Sequence, residues 1–511
     1  MADREHTERP YLWPLLAVGV IAAALVLRLL HAWFTIRFNP LASHLQLDAA
    51  TYDRWARALA FGGDAGPTTL MQAPLYPWLL SVLYRIFGPS LAAVRIWQAL
   101  LGAATCGLVM LCARRLFGRG AAVVAGCMTA FYAPLIFYEG VLVPATLAVF
   151  LNILFVAVLA GADAPRRPRI LASGVILGAA CLASPMTILM LPFAVIHLAA
   201  RPRERWAFAP IVGRSFVLGA GVMLALAPVA IRNAVRTGEF VPLTTGGGIN
   251  FYIGNNPAAN GFYSVPTYRG TSLGATPEEQ WRMMQELASE ASGRMLSQSG
   301  ASRFWLAAGI DYLRGNPRRA AALLWEKCNF FWNNYERANV ENFYFHRRFT
   351  GVLRLPLLTF GALAPLGLLG IFLTRSRARR LWLLYGGVLA CFLGALIFYV
   401  VARYRLPAVP FLAVYAGAAV VEILDLAKGR RAAELLLVLA AGAVLVFFTN
   451  RQVARDTPFG ISTNFVRLGA AYVARGDTTS AVKAFEKAIE VNPRNGVARD
   501  ALSKLRPPSG K

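Results

Sequence analysis

The sequence predicts an all-α protein that crosses a membrane many times. Of its 511 residues, 57% are hydrophobic and only 15% are charged, and the mean hydropathy is +0.50. Soluble globular proteins have about 25% charged residues, so lipid is expected to be the solvent for most of this chain. Long apolar runs follow one another, and basic residues gather in short clusters between them. Together these observations predict a polytopic bundle of transmembrane helices.

About eleven apolar runs are long enough to be considered as transmembrane helices, since a bilayer core of about 30 Å needs about 20 residues. They lie at residues 11–33, 91–113, 120–138, 141–161, 170–184, 186–200, 213–231, 352–374, 381–400, 406–426 and 432–449. The fifth and sixth runs are short and meet at Ser184-Pro185, so they could instead form one interrupted element. No small-residue cleavage site follows the first run, which therefore predicts an uncleaved anchor.

The basic clusters predict the orientation of the bundle. They contain Arg114, Arg115 and Arg119; Arg166, Arg167 and Arg169; Arg201, Arg203 and Arg205; Arg375, Arg377, Arg379 and Arg380; and Lys428, Arg430 and Arg431. The turns near Glu139 and Ser184 contain no Lys or Arg. The positive-inside rule then puts the N-terminus and the clusters in the cytoplasm. Residues 34–90, residues 232–351 and the tail from about 450 are expected outside.

The charge and the cysteines exclude two other classes. The net charge of +26 follows the loops of a membrane topology and does not form a continuous basic stripe, so nucleic-acid binding is not expected. Among the six cysteines, only Cys328 lies outside an apolar run. No intramolecular disulfide framework is therefore expected outside the membrane.

The long loop 232–351 is predicted to begin with turns and to continue with helices. Its first part, IRNAVRTGEFVPLTTGGGINFYIGNNPAANGFY, is rich in Thr, Gly, Asn and Pro, which favours turns and close backbone approach. It could be an ordered surface loop or a lid over a polar ligand. Apolar spacing predicts helices from Pro277, from near Ser302 to the break at Asn316-Pro317, and from Ala320 to Tyr335.

The tail, residues 450–511, contains the pattern of one tetratricopeptide (TPR) unit at residues 462–495. The pattern consists of Phe465, Leu468, Gly469, Tyr472, Ala481, Phe485, Ala488 and Pro493. Gly469 and Ala481 would let two helices approach closely, and residues 495–505 could form a capping helix. One unit is too few for a stable solenoid, so it is expected to lean on its own loop or on a partner.

Three acidic residues are predicted to lie at the external face of the bundle: Asp48, Asp53 and Glu139. Each could simply cap a helix, as acidic residues often do. A carboxylate held at a membrane surface beside apolar backbone could instead act as a general base.

Three arginines, Arg232, Arg403 and Arg405, are predicted at the outer ends of spans. They could snorkel to lipid headgroups. Facing carboxylates across a cavity, they could instead bind a phosphate through forked hydrogen bonds. His44 lies near Asp48, but no second His or Cys completes a set of ligands, so a divalent metal ion is conceivable and not indicated.

Four segments of the chain resemble the integral-membrane C-type glycosyltransferases (GT-C), in particular the protein O-mannosyltransferases and lipid A aminoarabinose transferases. They are LDAATYDRWARALA, QAPLYPWLLSVLYRIFG, IRNAVRTGEF with GGGINFYIGNNP, and ARYRLPAVPFLAVYAG. With the layout of spans, the resemblance covers residues 11 to about 426. It implies a GT-C domain over residues 1–449, followed by the tail. Two departures are Ala49, where the family often has Glu, and Met71-Gln72, where many members have a Lys.

The resemblance implies a glycosyltransferase that uses a polyprenyl-phosphate-linked sugar. Asp48 would deprotonate an acceptor hydroxyl of a protein or glycolipid, with Asp53 and Glu139 supporting it, in a single inverting displacement. Arg232, Arg403 and Arg405 would bind the donor phosphate, and Gln72 could donate a hydrogen bond to it. The expected location is the bacterial inner membrane with the C-terminus in the periplasm. The TPR unit resembles the tails of TPR-bearing O-mannosyltransferases, which suggests a protein acceptor or partner.

Two other functions are compatible with a polytopic chain. A transporter would place intramembrane charges near the middle of its helices, whereas here they crowd at the ends. A membrane scaffold that presents a TPR module would not need paired carboxylates and facing arginines at one membrane face.

Overall fold

The computed structural model describes residues 12–63, 71–161, 165–200, 208–265, 267–268, 271–272, 276–454 and 456–505. Arg201, Arg203 and Arg205, one of the predicted cytoplasmic clusters, lie outside these residues. The described helices are α1 Leu12–Phe38, α2 Leu47–Phe61, α3 Leu75–Phe87, α4 Leu91–Phe117, α5 Arg119–Ala130, α6 Ala133–Glu139, α7 Ala145–Leu159, α8 Arg167–Ala183, α9 Leu191–Ala199, α10 Phe208–Thr237, α11 Gly247–Gly254, α12 Pro277–Ser292, α13 Gln298–Gly315, α14 Pro317–Phe331, α15 Phe343–His346, α16 Phe360–Leu373, α17 Trp382–Ile397, α18 Ala402–Arg405, α19 Val409–Lys428, α20 Ala432–Asn450, α21 Pro458–Ala474, α22 Thr478–Val491 and α23 Gly496–Leu505. The only strands in the described part are β1 Thr267–Tyr268 and β2 Thr271–Ser272, which pair antiparallel.

The predicted all-α, multi-pass class is confirmed. Five helical segments of the described chain are long and apolar enough to cross a membrane, and five shorter apolar helices accompany them. The long segments are Leu12–Phe38, Leu91–Phe117, Ile211–Thr237, Ala402–Lys428 and Ala432–Asn450. Small residues let helices of the bundle pack closely, as is usual in membranes. A Cβ atom added to Gly174 of α8 would lie 2.2 Å from the carbonyl oxygen of Leu218 on α10.

Two predicted spans are not continuous helices: 120–138, and 352–374, in which a 3-10 turn over Val352–Arg354 precedes α16 from Phe360. The run 120–138 is broken between α5 and α6, because the backbone around Tyr132 pairs with that of Leu358. The amide of Ala133 donates to the carbonyl of Leu358 at 2.9 Å, and the amide of Leu358 donates to the carbonyl of Phe131 at 2.9 Å. Apolar periodicity alone could not reveal this pairing with a distant segment.

The runs 170–184 and 186–200 form the interrupted element that the sequence allowed. Helix α8 ends at Ala183, Ser184 is extended, and a 3-10 turn over Pro185–Met190 leads into α9. A proline at the first position of the turn has no amide hydrogen to donate, so a new helical segment can start there without the loss of a hydrogen bond.

The long loop folds largely as its sequence pattern predicts. Helix α12 begins at Pro277, and Asn316 separates α13 from α14. The boundaries of α13 and α14 differ from the prediction by three or four residues. In the glycine-rich part, a Cβ added to Gly248 would lie 1.8 Å from the carbonyl oxygen of Ser302. The expected close backbone approach therefore occurs between α11 and α13.

The tail forms a helical hairpin, α21 and α22, followed by α23. A Cβ added to Gly469 would lie 2.6 Å from the ring of Phe485, so the small residue does permit the close approach of the two helices. The hairpin packs against other segments of the same chain. The ring centres of Phe465 and Phe345 are 5.2 Å apart, and Arg475 donates a hydrogen bond to the carbonyl oxygen of Asn39 at 3.1 Å. Its identity as a TPR unit remains a prediction.

Candidate functional site

A cavity of about 1010 Å³ opens at one end of the bundle. Its polar wall is formed by α2, α11, α12, α18 and the first turns of α21. Its apolar wall is formed by α7, the 3-10 turn after α8, and α17, which contribute Ala145, Ala148, Met186, Met190 and Ala390. The cavity therefore connects a polar region with the apolar interior of the bundle.

The cavity collects the segments that the sequence puts on one side of the membrane. Asp48 follows α1, Asn250 follows α10, Arg403 precedes α19, and Asp456 follows α20, and all four line the cavity. These connections therefore share one side of the bundle, as the alternation of basic clusters predicts. Which side faces the cytoplasm remains a prediction.

Asp48 lies in the first turn of α2 and points into the cavity. Gln46 occupies the N-cap position, without a capping hydrogen bond from its side chain, so Asp48 is not the N-cap. The preceding Leu47 has a φ of 51°, a left-handed conformation that costs free energy for a side chain of this size. The Asp48 carboxylate accepts a hydrogen bond from Arg403, with 2.6 Å between Oδ2 and Nη1. Its other oxygen, Oδ1, accepts no hydrogen bond from the described residues.

Arg403 uses only part of its guanidinium for this pair. Nη2 lies 3.5 Å from the hydroxyl of Tyr404, and Nε is buried without a hydrogen-bond partner among the described residues. Nε–H and the adjacent Nη2–H form one side of the guanidinium fork, the geometry that binds two oxygens of one phosphate. Arg403 can therefore hold an anion while Nη1 stays on Asp48.

Tyrosines and amides surround the Asp48–Arg403 pair. The hydroxyl of Tyr399 donates to Oδ1 of Asn250 at 2.7 Å, and the hydroxyl of Tyr263 donates to Oε1 of Gln280 at 3.2 Å. Burial raises the pKa values of Tyr52 and Tyr263 above the ordinary value for a phenol. These phenols are therefore neutral at physiological pH and can take part in hydrogen bonds as donors or acceptors.

Gln72 and Arg337 also line the cavity. Oε1 of Gln72 is buried without a partner in the part of the chain that the structure describes. The Arg337 guanidinium lies 4.8 Å from the ring centre of Phe262 and donates no hydrogen bond to any described residue. The carbonyl of Arg337 accepts from the amide of Ala402 at 2.9 Å, which holds this second arginine beside the start of α18.

Asp53 and Glu139 do not reach the cavity, so the structure does not support their expected role beside Asp48. Asp53 accepts hydrogen bonds from Arg57 at 2.8 Å and Tyr84 at 2.5 Å. Glu139 forms a buried ion pair of 2.9 Å with Arg28 of α1. A Cβ on Gly102 would lie 2.1 Å from Oε1 of Glu139, so this glycine makes room for the pair. Both carboxylates join helices to each other.

Arg405 and Arg232 are also outside the cavity, although both were expected to bind phosphate. Arg405 forms a buried pair of 2.7 Å with Glu336 and lies 3.9 Å from the ring centre of Phe360. The adjacent backbone turns Arg403 and Arg405 to different sides of α18, which their spacing of two residues in a helix already implies. Arg232 lies about 6 Å from the rings of Trp55 and Trp78 (6.0 Å and 5.9 Å) and donates to its neighbour Asn233.

The sequence reasoning missed several residues of the cavity. The most relevant are Asn250, Tyr263, Gln280, Arg337, Tyr399, Tyr404 and Asn464. Tyr404 and Asn250 stand inside segments that carry the family resemblance, which was a usable signal. Arg337 lies in an irregular stretch without periodicity, and its position follows from contacts with distant residues, the backbone hydrogen bond from Ala402 and the ring of Phe262. No group of three or more His, Cys, Asp and Glu side chains in the described chain could hold a metal ion.

Comparison with known proteins gives one family match. The family described as dolichyl-phosphate-mannose-protein mannosyltransferase matches residues 71–231, about a third of the chain. None of the curated proteins matches the chain.

Among solved structures, two crystal structures illustrate the overall similarity. The oligosaccharyltransferase of Archaeoglobus fulgidus with a tethered acceptor peptide is 13% identical, with a TM-score of 0.48 over 97% of this chain and 55% of that one. ArnT from Cupriavidus metallidurans in the apo state is 16% identical, with a TM-score of 0.46 over 97% of this chain and 75% of that one. The chain thus spans little more than half the length of the oligosaccharyltransferase.

Proposed function

We propose that this protein is a GT-C glycosyltransferase that moves a sugar from a polyprenyl-phosphate donor to an acceptor hydroxyl. The observation that carries the proposal is the Asp48–Arg403 pair at the cavity wall, with one carboxylate oxygen and one edge of the guanidinium still available. The proposed base, Asp48, and the proposed ligand of the leaving phosphate, Arg403, are thereby joined by a direct hydrogen bond. The match of residues 71–231 to the mannosyltransferase family supports the same reaction and includes Gln72.

The shape of the cavity suits a lipid-linked donor. A polyprenyl phosphate sugar has an apolar chain, a charged phosphate and a polar sugar in sequence. The wall of Ala145, Ala148 and Met190 would accept the start of the chain, and Arg403 with Arg337 would bind the phosphate. The amides of Asn250 and Gln280, with the tyrosines, would then face the sugar hydroxyls. This order of apolar, cationic and neutral polar surface matches the order of the groups in the donor.

The reaction would be a single displacement. Oδ1 of Asp48 takes the proton of the acceptor hydroxyl, the acceptor oxygen forms a bond to the anomeric carbon, and the bond from that carbon to the phosphate oxygen breaks. Arg403 and Arg337 neutralise the charge that develops on the departing polyprenyl phosphate. Attack from the face opposite the phosphate inverts the anomeric configuration. Because phosphate is already a good leaving group, positioning would provide most of the rate acceleration.

The reaction is proposed to take place on the outer face of a bacterial inner membrane. The orientation rests on the basic clusters, which in the described chain include Arg114 and Arg115 in the last turn of α4, the 3-10 turn Arg375–Arg380 after α16, and Lys428 in the last turn of α19. A reporter that is active only outside the cytoplasm should be active when fused after Leu505 and silent when fused at Arg167. The reverse pattern would put the cavity on the cytoplasmic side.

The direct test is turnover of a defined donor. Purified protein in detergent is incubated with polyprenyl-phosphate mannose, chosen because of the family match, and the release of polyprenyl phosphate is followed by mass spectrometry. The proposal predicts release that depends on an added hydroxyl acceptor. A transporter would release none, and it would instead move a solute across the membrane of a proteoliposome, which would overturn the proposal.

A further inference from the structure

The segment between α17 and α18, residues 398–401, leads to Arg403 at the cavity wall. Phe398 and Tyr399 of this segment line the cavity themselves. The segment follows the C-terminus of α17, where the last carbonyl groups of a helix have no partner within the helix. The groups that bind these carbonyls therefore also determine where the segment starts, and with it the position of Arg403.

Lys327 of α14 binds the end of α17. Its side chain is fully buried, and Nζ donates to the carbonyl of Leu396 at 3.0 Å and to Oδ1 of Asn255 at 2.9 Å. Asn255 in turn donates through Nδ2 to the carbonyl of Ile397 at 2.8 Å. One ammonium group thus joins α14, the residue that follows α11, and the last turn of α17.

The partners of this buried ammonium are neutral. In the part of the chain that the structure describes, Lys327 forms no ion pair, and its two acceptors are a carbonyl and an amide oxygen. The partial negative charge at the C-terminus of α17 stabilises a cation there, but a buried charge without a counter-ion still costs free energy. Stability alone therefore does not account for a lysine at this position, whereas the placement of the end of α17 does.

The contact between α11 and α17 continues toward Arg403. A Cβ added to Gly254, the last residue of α11, would lie 1.8 Å from the carbonyl oxygen of Phe398. The hydroxyl of Tyr399 donates to Oδ1 of Asn250 on the same helix at 2.7 Å. Helix α11 and the residue after it thus contact three successive residues, 397–399, and Lys327 fixes the point where this contact begins.

We propose that Lys327 is a positioning residue of the transferase site, which sets the place of Arg403 by fixing the end of α17 against α11. Lys327 does not line the cavity, so its effect on the reaction passes through the segment that leads to Arg403. Precise placement matters, because a shift of about 1 Å in a group that orients the substrate can cost about a hundredfold in rate. The inference rests on the proposed function, since it takes Arg403 as the ligand of the donor phosphate.

The test compares Lys327→Met with Gln98→Met as a matched control. Methionine approaches the length of both side chains but donates no hydrogen bond. Gln98 is also fully buried, and its amide also donates twice, to the carbonyls of Glu139 and Val141, but none of these three residues lines the cavity. The affinity of each purified variant for polyprenyl-phosphate mannose is measured in detergent, below the unfolding temperature of both.

Lys327→Met should lower donor affinity about tenfold, the low end of the cost of losing one charge-assisted hydrogen bond from Arg403. Gln98→Met should stay close to wild type in affinity, although it loses two hydrogen bonds as well. Lys327→Gln keeps an amide that can donate to the carbonyl of Leu396, and it should recover most of the affinity. If Lys327→Met does not fold, Asn255→Ala removes the other member of the contact and should have the same effect.

A double-mutant cycle separates positioning from a general loss of structure. In an Arg403→Ala background, Lys327→Met should cause no further loss of donor affinity, because the group through which it acts is absent. An equal loss of affinity in both backgrounds would overturn the inference, and so would wild-type affinity in Lys327→Met. A wild-type protein that does not bind the donor would contradict the proposed function, and this inference with it.

Discussion

The carboxylate of Asp48 and the guanidinium of Arg403 are 2.6 Å apart, although 355 residues separate them in the chain. Both side chains are mostly buried, with exposed fractions of 17% and 13%. The pair fixes α2 against the short helix before α19, so the segment after the first span and the start of a late span form one wall. The side chains of a partly buried ion pair are held in one geometry more strictly than those of an exposed pair. Such a pair can therefore keep a base at a fixed position beside a phosphate ligand.

Arg403→Lys should weaken donor binding more than the retained charge would suggest. Lysine can still pair with Asp48, but it lacks the Nε–Nη2 edge that is proposed to bind phosphate. Loss of one charge-assisted hydrogen bond corresponds to about 1.5–3 kcal/mol, or about ten- to a hundredfold in donor affinity. Binding of polyprenyl-phosphate mannose to the purified variant in detergent measures this. An affinity equal to that of wild type would remove Arg403 from the donor site.

Arg337 and Arg405 should respond to the same substitution in opposite ways. Arg337→Gln should weaken donor binding and leave thermal stability nearly unchanged, because Arg337 lines the cavity and its guanidinium donates no hydrogen bond to a described residue. Arg405→Gln should lower stability by about 3–5 kcal/mol, because it leaves Glu336 buried without its partner. Thermal unfolding and donor binding, measured on both variants, give the comparison. Equal stability losses would show that Arg337 is structural too.

Lys327 predicts a pH dependence of stability. Its ammonium is buried and donates to Asn255 at 2.9 Å and to the carbonyl of Leu396 at 3.0 Å, and burial lowers its pKa to about 7. The unfolded chain therefore binds more protons than the folded one between about pH 7 and the ordinary lysine pKa of about 10.4. The free energy of unfolding should therefore rise with pH across this window, by up to about 1.4 kcal/mol per pH unit. This gain in stability should be lost again as the pH falls to 7.

Comparison with Lys327→Met isolates this contribution. Methionine has similar length and no charge, so the stability of the variant should depend less on pH between 7 and 10. The unfolding temperatures of both proteins are measured in the same detergent at several pH values. Parallel curves would mean that Lys327 does not titrate in this range.

The sequence predicted the parts of the fold that depend on local apolar pattern. The spans α1, α4, α10, α19 and α20 coincide with apolar runs, because a helix that crosses the membrane is apolar both where it contacts lipid and where it packs inside the bundle. The break at Tyr132 was missed because its cause is a backbone pairing with Leu358, more than two hundred residues away. Such a long-range hydrogen bond leaves no local signal in the sequence.

The candidate site was predicted in part, for a related reason. Asp48, Gln72 and Arg403 were named from the sequence, and all three line the cavity. Arg405 was named with them because it is only two residues from Arg403, but a helix turns such residues to different sides. Glu139 was named because it was predicted to lie at the external face of the bundle, at the same depth as Asp48. Depth does not distinguish a catalytic carboxylate from one that is paired with Arg28.

The most direct test of the account is the effect of Asp48→Asn on donor turnover, with Asp53→Asn as the matched control on the same helix. Asparagine keeps the size of the side chain but cannot take a proton from the acceptor. The readout is the acceptor-dependent release of polyprenyl phosphate. Asp48→Asn should lower the rate of release by about 10²–10⁴. Asp53→Asn should stay within about threefold of the wild-type rate, because Asp53 lies outside the cavity and only the loss of a transition-state contact lowers the rate strongly. Turnover by a folded Asp48→Asn within about tenfold of wild type, well short of the loss of a general base, would contradict the account.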